Sequence, residues 1–346
     1  MSAPLDRFAD PLIGETWSEL GAIRRTGDVD GTWTADVVLG YPIDGWREQL
    51  EDSVRDWLGS PSARLDLTFQ APDARPLQGV KNIIAVASGK GGVGKSTIAV
   101  NLALGLLRAG AKTGLLDADI YGPSQGRMLG IPEGRRPEMK SGNRLVPMRA
   151  HGLKAMSMSM LVTDRTPMVW RGPMASGALK QLLQQTDWQD LDYLVVDMPP
   201  GTGDIQLTLT QAVSLSGAVI VTTPQEIALA DARKGVEMFT KVSVPVLGVI
   251  ENMSSFRCDG CGKEHAIFDQ HGGQRVAEEY GTGVVGRFPL DTNLRSGADV
   301  GQPTVAADPT HALAKDFVDT ARLVAATVWR SARLSAPPPK ISMGEA

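Results

Sequence analysis

From Lys81 onward, short apolar runs alternate with longer segments whose apolar residues recur at helical spacing. The runs Asn82–Ala87, Thr113–Leu116, Leu194–Asp197, Gly217–Thr222 and Val244–Ile250 read as strands. Helices are expected to begin near Lys95, Gly203, Leu229 and Gly273, with a last one across His311–Trp329. Such alternation predicts an α/β fold, a mainly parallel sheet covered by helices on both faces. Ligands of such sheets bind at the carboxyl ends of the strands.

The first 80 residues follow another pattern and predict a small α/β unit. Asp36–Gly40 looks like a strand end, and Trp46, Leu50, Val54 and Trp57 form one apolar helical face. Leu65, Leu67 and Phe69 alternate with polar neighbours as in a half-buried strand, and Pro72 and Pro76 mark a linker. The expected division is an N-terminal α/β domain at 1–76 without cysteine, a linker at 77–80, a larger domain at 81–332 and a disordered tail at 333–346. Met156, Met158 and Met160 alternate with serines, as on one face of a strand.

Charge narrows the possible partners. The 35 basic and 39 acidic residues leave a net charge of −4, so no global field favours nucleic acid or an anionic membrane. No apolar stretch reaches the roughly 18 residues of a membrane span, and Met1–Asp10 has no signal-peptide core. The expectation is a cytoplasmic chain with neither nucleic acid nor membrane as partner. Two cysteines in 346 residues exclude a disulfide framework.

The sharpest motif is Gly89-Lys90-Gly91-Gly92-Val93-Gly94-Lys95-Ser96, followed by Thr97. It fits G-x-x-x-x-G-K-[ST] between a predicted strand and a predicted helix, the context of a phosphate loop, and makes 81–332 a P-loop ATPase domain. Its backbone N–H groups would converge on phosphate oxygens, Lys95 would reach the β- and γ-phosphates of ATP, and Ser96 would coordinate Mg²⁺. Two strand ends add carboxylates. Asp197 opens the turn MPPGTGD and is assigned to the Mg²⁺ shell, and Asp119 to orienting the attacking water. Asp117 could share the metal shell or cap a neighbouring helix. Asn252, after the strand VLGVI, could read a purine edge or serve the turn.

Cys258 and Cys261 form a C-x₂-C in a polar turn flanked by Arg257 and Lys263, cations that favour thiolates. Zinc and iron–sulfur sites ordinarily take four protein ligands. A four-cysteine site therefore needs two chains, or else His265, His271 and a carboxylate must complete it.

The extra Lys90 resembles the deviant Walker A motif of the MinD, ParA and nitrogenase-iron-protein group, which implies a lysine acting on the partner's nucleotide across a dimer interface. Taken with LLDADIYGPSQGRMLG, MVWRGPM, VVDMPPGTGD, VIENMSSFRCDGCG and RFPLDTNLRSGADVGQPT, the stretch Val80–Trp329 resembles Mrp/ApbC-type iron–sulfur cluster carrier P-loop ATPases. The resemblance implies a homodimer holding a [4Fe–4S] cluster between Cys258 and Cys261 of both chains and passing it to apoproteins in an ATP-linked step. The competing reading is a MinD- or ParA-like positioning ATPase with structural zinc at the C-x₂-C. MinD function needs a basic amphipathic C-terminal helix, whereas this chain ends in a proline-rich tail (Pro337–Pro339).

Overall fold

The computed structural model describes residues 4–120, 122–140, 142–160, 172–258 and 260–334. Trp170, Arg171 and Asp259 lie outside them, as do residues 335–346 of the expected tail. Arg333 and Leu334 belong to the final helix.

After a 3₁₀ turn at Pro4–Arg7, the N-terminal unit is built from β1 (Ile23–Val29), β2 (Thr32–Leu39), α1 (Arg47–Leu58) and β3 (Arg64–Phe69). β1 and β2 form a hairpin around Asp30-Gly31, both at positive φ, the backbone that a two-residue loop of matching twist requires. β2 and β3 are parallel, joined through α1. Leu67 is buried while Leu65 and Phe69 are half-buried, as their alternation predicts. In α1, Leu50 and Val54 are buried, but Trp57 remains 54% exposed with its ring edge-on to Phe8.

The large sheet begins with β4 (Val80–Ala87), α2 (Lys95–Arg108), β5 (Thr113–Asp117) and α3 (Gln125–Met128). A short ladder β6 (Met139–Lys140) and β7 (Arg144–Leu145) precedes β8 (Met148–Ala150), β9 (Leu153–Ser157), α4 (Gly172–Gln185), β10 (Leu191–Asp197) and α5 (Asp204–Ala212). Then come β11 (Gly217–Thr222), α6 (Glu226–Lys241), β12 (Val246–Arg257), β13 (Glu264–His265) and α7 (Gly272–Glu279). The chain continues through β14 (Val284–Leu290), α8 (Thr292–Asp299), α9 (Thr304–Ala307) and α10 (Ala312–Leu334). The strands lie in the order β14-β12-β11-β4-β10-β5-β9-β8, all parallel except β8, with β13 antiparallel on the far end of β12.

Alternate residues of each central strand feed opposite faces. Ile84, Val86, Tyr193 and Val195 pack with α2 and α10, while Ile83, Ala85, Leu194 and Val196 pack with α4, α5, α6 and α7. The expected mainly parallel sheet with helices on both faces is therefore the observed one. α10 presents Leu313, Phe317, Ala321, Val324 and Val328 at helical spacing, and Phe317 stacks on Phe288 at 3.9 Å. The three methionines are buried together, but β9 ends at Ser157, so Met158 and Met160 sit in a 3₁₀ turn rather than on a strand.

The N-terminal unit shares its apolar core with α2 and α10. Arg322 on α10 donates to the carbonyls of Pro42 and Asp44 at 3.2 Å, and its guanidinium lies 5.2 Å from the Trp46 ring centroid. Tyr193 Oη donates to Gly40 O. Among the described residues, no helix is long and apolar enough to cross a membrane.

Candidate nucleotide and thiol sites

β4 ends at Ala87 and α2 begins at Lys95, so residues 88–94 form the loop between them. The glycines at its two ends are there for different reasons. A Cβ on Gly89 would lie 2.0 Å from the Asp231 carbonyl oxygen, so no side chain fits. Gly94, the N-cap of α2, has φ +82, and a Cβ there would sit 2.2 Å from Asn252 Nδ2. Ser88 fastens the loop at its base, donating to Lys90 O and accepting at its own carbonyl from Gly201 N. Lys90, Gly91 and Gly92 are exposed and Val93 is buried, while Ser96 and Thr97 lie half-buried in the first turn of α2.

Lys95 is only 6% exposed and donates to Asp197 Oδ1. Asp197 and Asp117 end adjacent strands in direct register, and both are fully buried. Burial first, and then the neighbouring Asp197 carboxylate, push the Asp117 pKa up to about 7. Asp117 takes the capping alternative. Its Oδ2 accepts from Ser124 N and Gln125 N at the start of α3 and from Ser157 Oγ, and its Oδ1 accepts from Asp119 N. Asp119 is half-buried on the loop that follows, and its Oδ1 accepts from Gly122 N.

Asn252 is 6% exposed and donates to the Val93 carbonyl at 2.9 Å, so its amide braces the phosphate loop. The strand carrying it runs on to Arg257 and delivers Cys258, half-buried, and Cys261, exposed. The thiol turn closes with Cys258 N donating to Lys263 O and Gly262 N to Cys258 O. His265 is exposed on β13, opposite Phe256, and His271 is the N-cap residue of α7. Among the described residues, no third histidine, cysteine or carboxylate joins the two thiols into a metal-sized group.

Three buried polar residues here were not expected from the sequence: Gln125, Ser157 and Glu251. Gln125 and Ser157 bind the strand-end carboxylates, whereas Glu251 accepts from Gly273 N and seats α7. No spacing rule points to them, because each is defined by contacts across the fold.

A Gly-rich loop opening a helix, with a lysine and a strand-end carboxylate buried against it, defines the molecule as a P-loop NTPase. Residues 79–325 match the family profile described as ParA, NUBPL iron-transfer P-loop NTPase, and the chain belongs to that family. The chain is 60% identical over 245 residues to an iron–sulfur cluster carrier protein of Pseudomonas fragi, covering 71% of this chain and 85% of that protein. With the Escherichia coli K12 iron–sulfur cluster carrier protein it shares 46% identity over 342 residues, 95% of this chain and 92% of the other. Among solved structures, an Archaeoglobus fulgidus nucleotide-binding protein in complex with ADP is 34% identical, with TM-score 0.60 over 70% of this chain and 93% of that one. The Pyrococcus furiosus cell division ATPase MinD is similar in fold, at 21% identity and TM-score 0.51 over 70% of this chain and 98% of that one.

Proposed function

We propose that this chain is an iron–sulfur cluster carrier that binds and hydrolyses ATP. It acts as a homodimer that holds a [4Fe–4S] cluster as cargo between Cys258 and Cys261 of both protomers and hands it to recipient apoproteins. The observation that carries this reading is a single strand. β12 places Asn252 against the phosphate loop and, six residues on, Cys258 in the thiol turn, so nucleotide and cargo sites share one rigid element. Relatives named as cluster carriers and the ADP complex of the Archaeoglobus protein support both halves. Apolar residues exposed at the carboxyl end of the sheet, Ile227 (69%), Ile267 (53%) and Leu290 (38%), support a partner-facing surface there. The positioning-ATPase reading is not favoured, since the likeness to MinD at 21% identity speaks for the fold alone.

The residues present fit a Mg²⁺–nucleotide: a half-buried serine hydroxyl, a buried carboxylate and a buried lysine meet at a helix N-terminus. Ser96 and Asp197 would hold the ion, whose contribution when bound is to neutralise charge on the phosphates. Lys95 exchanges its contact with Asp197 for the β- and γ-phosphates, and the backbone N–H groups of 91–96 take the remaining oxygens. Asp119 orients the attacking water, and the exposed Lys90 is free to reach the partner's nucleotide. The cluster needs four thiolates, of which one chain brings two.

The test is anaerobic reconstitution of Cys258→Ser and Cys261→Ser. Each variant should lose most cluster absorbance yet bind a fluorescent ADP analogue with wild-type affinity. Full iron retention in the double variant would overturn the assignment.

A further inference from the structure

Gln125 stands in the first turn of α3, eight residues beyond Asp117, and is only 1% exposed. Its side-chain amide donates to Asp197 Oδ2 at 2.8 Å and to the Ser96 carbonyl at 2.9 Å. Both partners are pure acceptors, so the amide can face them only with its nitrogen. Its Oε1 is thereby turned away, a buried acceptor without a hydrogen bond. The backbone N–H of the same residue donates to Asp117 Oδ2 at 3.0 Å. One residue thus touches the first turn of α2 behind the phosphate loop, the carboxylate of β10 and the carboxylate of β5.

Among the described residues, the Asp197 carboxylate has two anchors, Lys95 on Oδ1 and Gln125 on Oδ2. In the reading proposed above, on which this inference rests, Lys95 turns to the phosphates when nucleotide binds. The Gln125 amide is then the remaining contact that keeps Asp197 aimed beside Ser96. Asp117 extends the linkage, because the carboxylate that receives Gln125 N also receives Asp119 N. Asp117 and the water-orienting Asp119 are therefore fastened to the metal side of the centre through Gln125.

We propose that Gln125 is a positioning residue of the phosphate centre, holding Asp197 against Ser96 for Mg²⁺ and tying Asp117 and Asp119 to the first turn of α2. A neutral amide suits this role. It satisfies a carboxylate without adding charge beside two buried acids, whereas glutamate would remove the donor and set a third carboxylate among them.

The test uses the full chain and titrates Mg²⁺ against a fluorescent ADP analogue, with and without EDTA. Gln125→Leu and Gln125→Met keep the approximate volume and remove the donor. Both should bind the analogue in EDTA within about twofold of wild type and lose about tenfold of the tightening that Mg²⁺ confers. In saturating Mg²⁺ their kcat should fall at least as far, with KM changed less than about threefold. Gln125→Glu should be worse than either. A packing role predicts something else: lower melting temperature and equal losses of affinity with and without Mg²⁺, and that result would overturn the proposal. A wild-type Mg²⁺ titration and kcat in Gln125→Met would overturn it as well, and the tolerance of methionine for irregular volume guards against a variant that merely misfolds. If the wild-type chain binds the analogue with no response to Mg²⁺, the reading of the phosphate site fails and the Gln125 proposal falls with it.

Discussion

Trp329 is the residue on which the seating of the N-terminal unit turns. Its ring is 6% exposed, lies edge-on to Tyr41 at 5.8 Å, and comes so close over Gly40 that a Cβ there would be 2.0 Å from its Cγ. Trp329→Ala removes this ring from a contact between α10 and the end of β2, at a cost of about 3–5 kcal/mol for a buried aromatic. At about 1.4 kcal/mol per factor of ten, that raises the undocked fraction of the N-terminal unit by a factor of ~10² to more than 10³. The core of the large sheet lies mostly in other residues, so its strands should hold. Hydrogen exchange resolved by peptide should show faster exchange in β2 and β3 and wild-type protection in β4 and β10, with ADP-analogue affinity within about threefold. Loss of protection in both sheets together would show that the chain opens as one unit, and unchanged exchange in β2 would show that Trp329 does not seat it.

Other expectations follow from the site and the domain boundary. Lys95→Ala should lower hydrolysis at least about 100-fold, because the phosphates lose their buried cation and Asp197 is left beside Asp117 without one. Asp119→Ala should bind nucleotide normally and hydrolyse it slowly in a single-turnover assay, and wild-type turnover would remove Asp119 from the mechanism. Asp117 has a folded pKa of about 7, above its ordinary 3.8, so the fold holds this proton more tightly than the unfolded chain does. The contribution of Asp117 to stability therefore falls as pH rises from about 4 to about 7, by at most about 1.4 kcal/mol per unit. The stability gap between wild type and the non-ionising Asp117→Asn should accordingly move in the variant's favour between pH 5 and 8, and urea midpoints showing a constant gap would contradict it. A chain beginning near Gln78 should fold and bind ATP at reduced stability, since Trp329 would lose its cover from Gly40 and Tyr41. Aggregation or complete loss of nucleotide affinity would place the boundary elsewhere.

Where a strand or helix carries its own pattern, the sequence sufficed. Gly217–Thr222 is the observed β11 to the residue, and Lys95 opens α2 as the phosphate-loop motif requires. β12 runs seven residues past Ile250, because its extension is held by β14 and β13, partners that no local window can see. β1 was hidden for the opposite reason. Its sequence IRRTGDV is mostly exposed and polar, and only the Asp30-Gly31 pair that closes the hairpin was a usable signal. The phosphate loop and strand-end carboxylates were legible because their chemistry demands a fixed order of residues. For Asn252 the sequence offered a purine edge or a turn, not the contact with Val93 O, and Gln125 was silent because its contacts exist only once β5, β10 and α2 converge.

Whether one cluster is shared by two chains is decided by iron stoichiometry tied to assembly mass. After anaerobic reconstitution, light scattering and iron and sulfide analysis on the same sample should give a dimer with about two irons and two sulfides per chain, since each chain supplies two of the four thiolates. Four irons stably held on a cysteine-ligated monomer, or tetrahedral zinc with no iron–sulfur absorption, would rule out a cluster bridged between protomers.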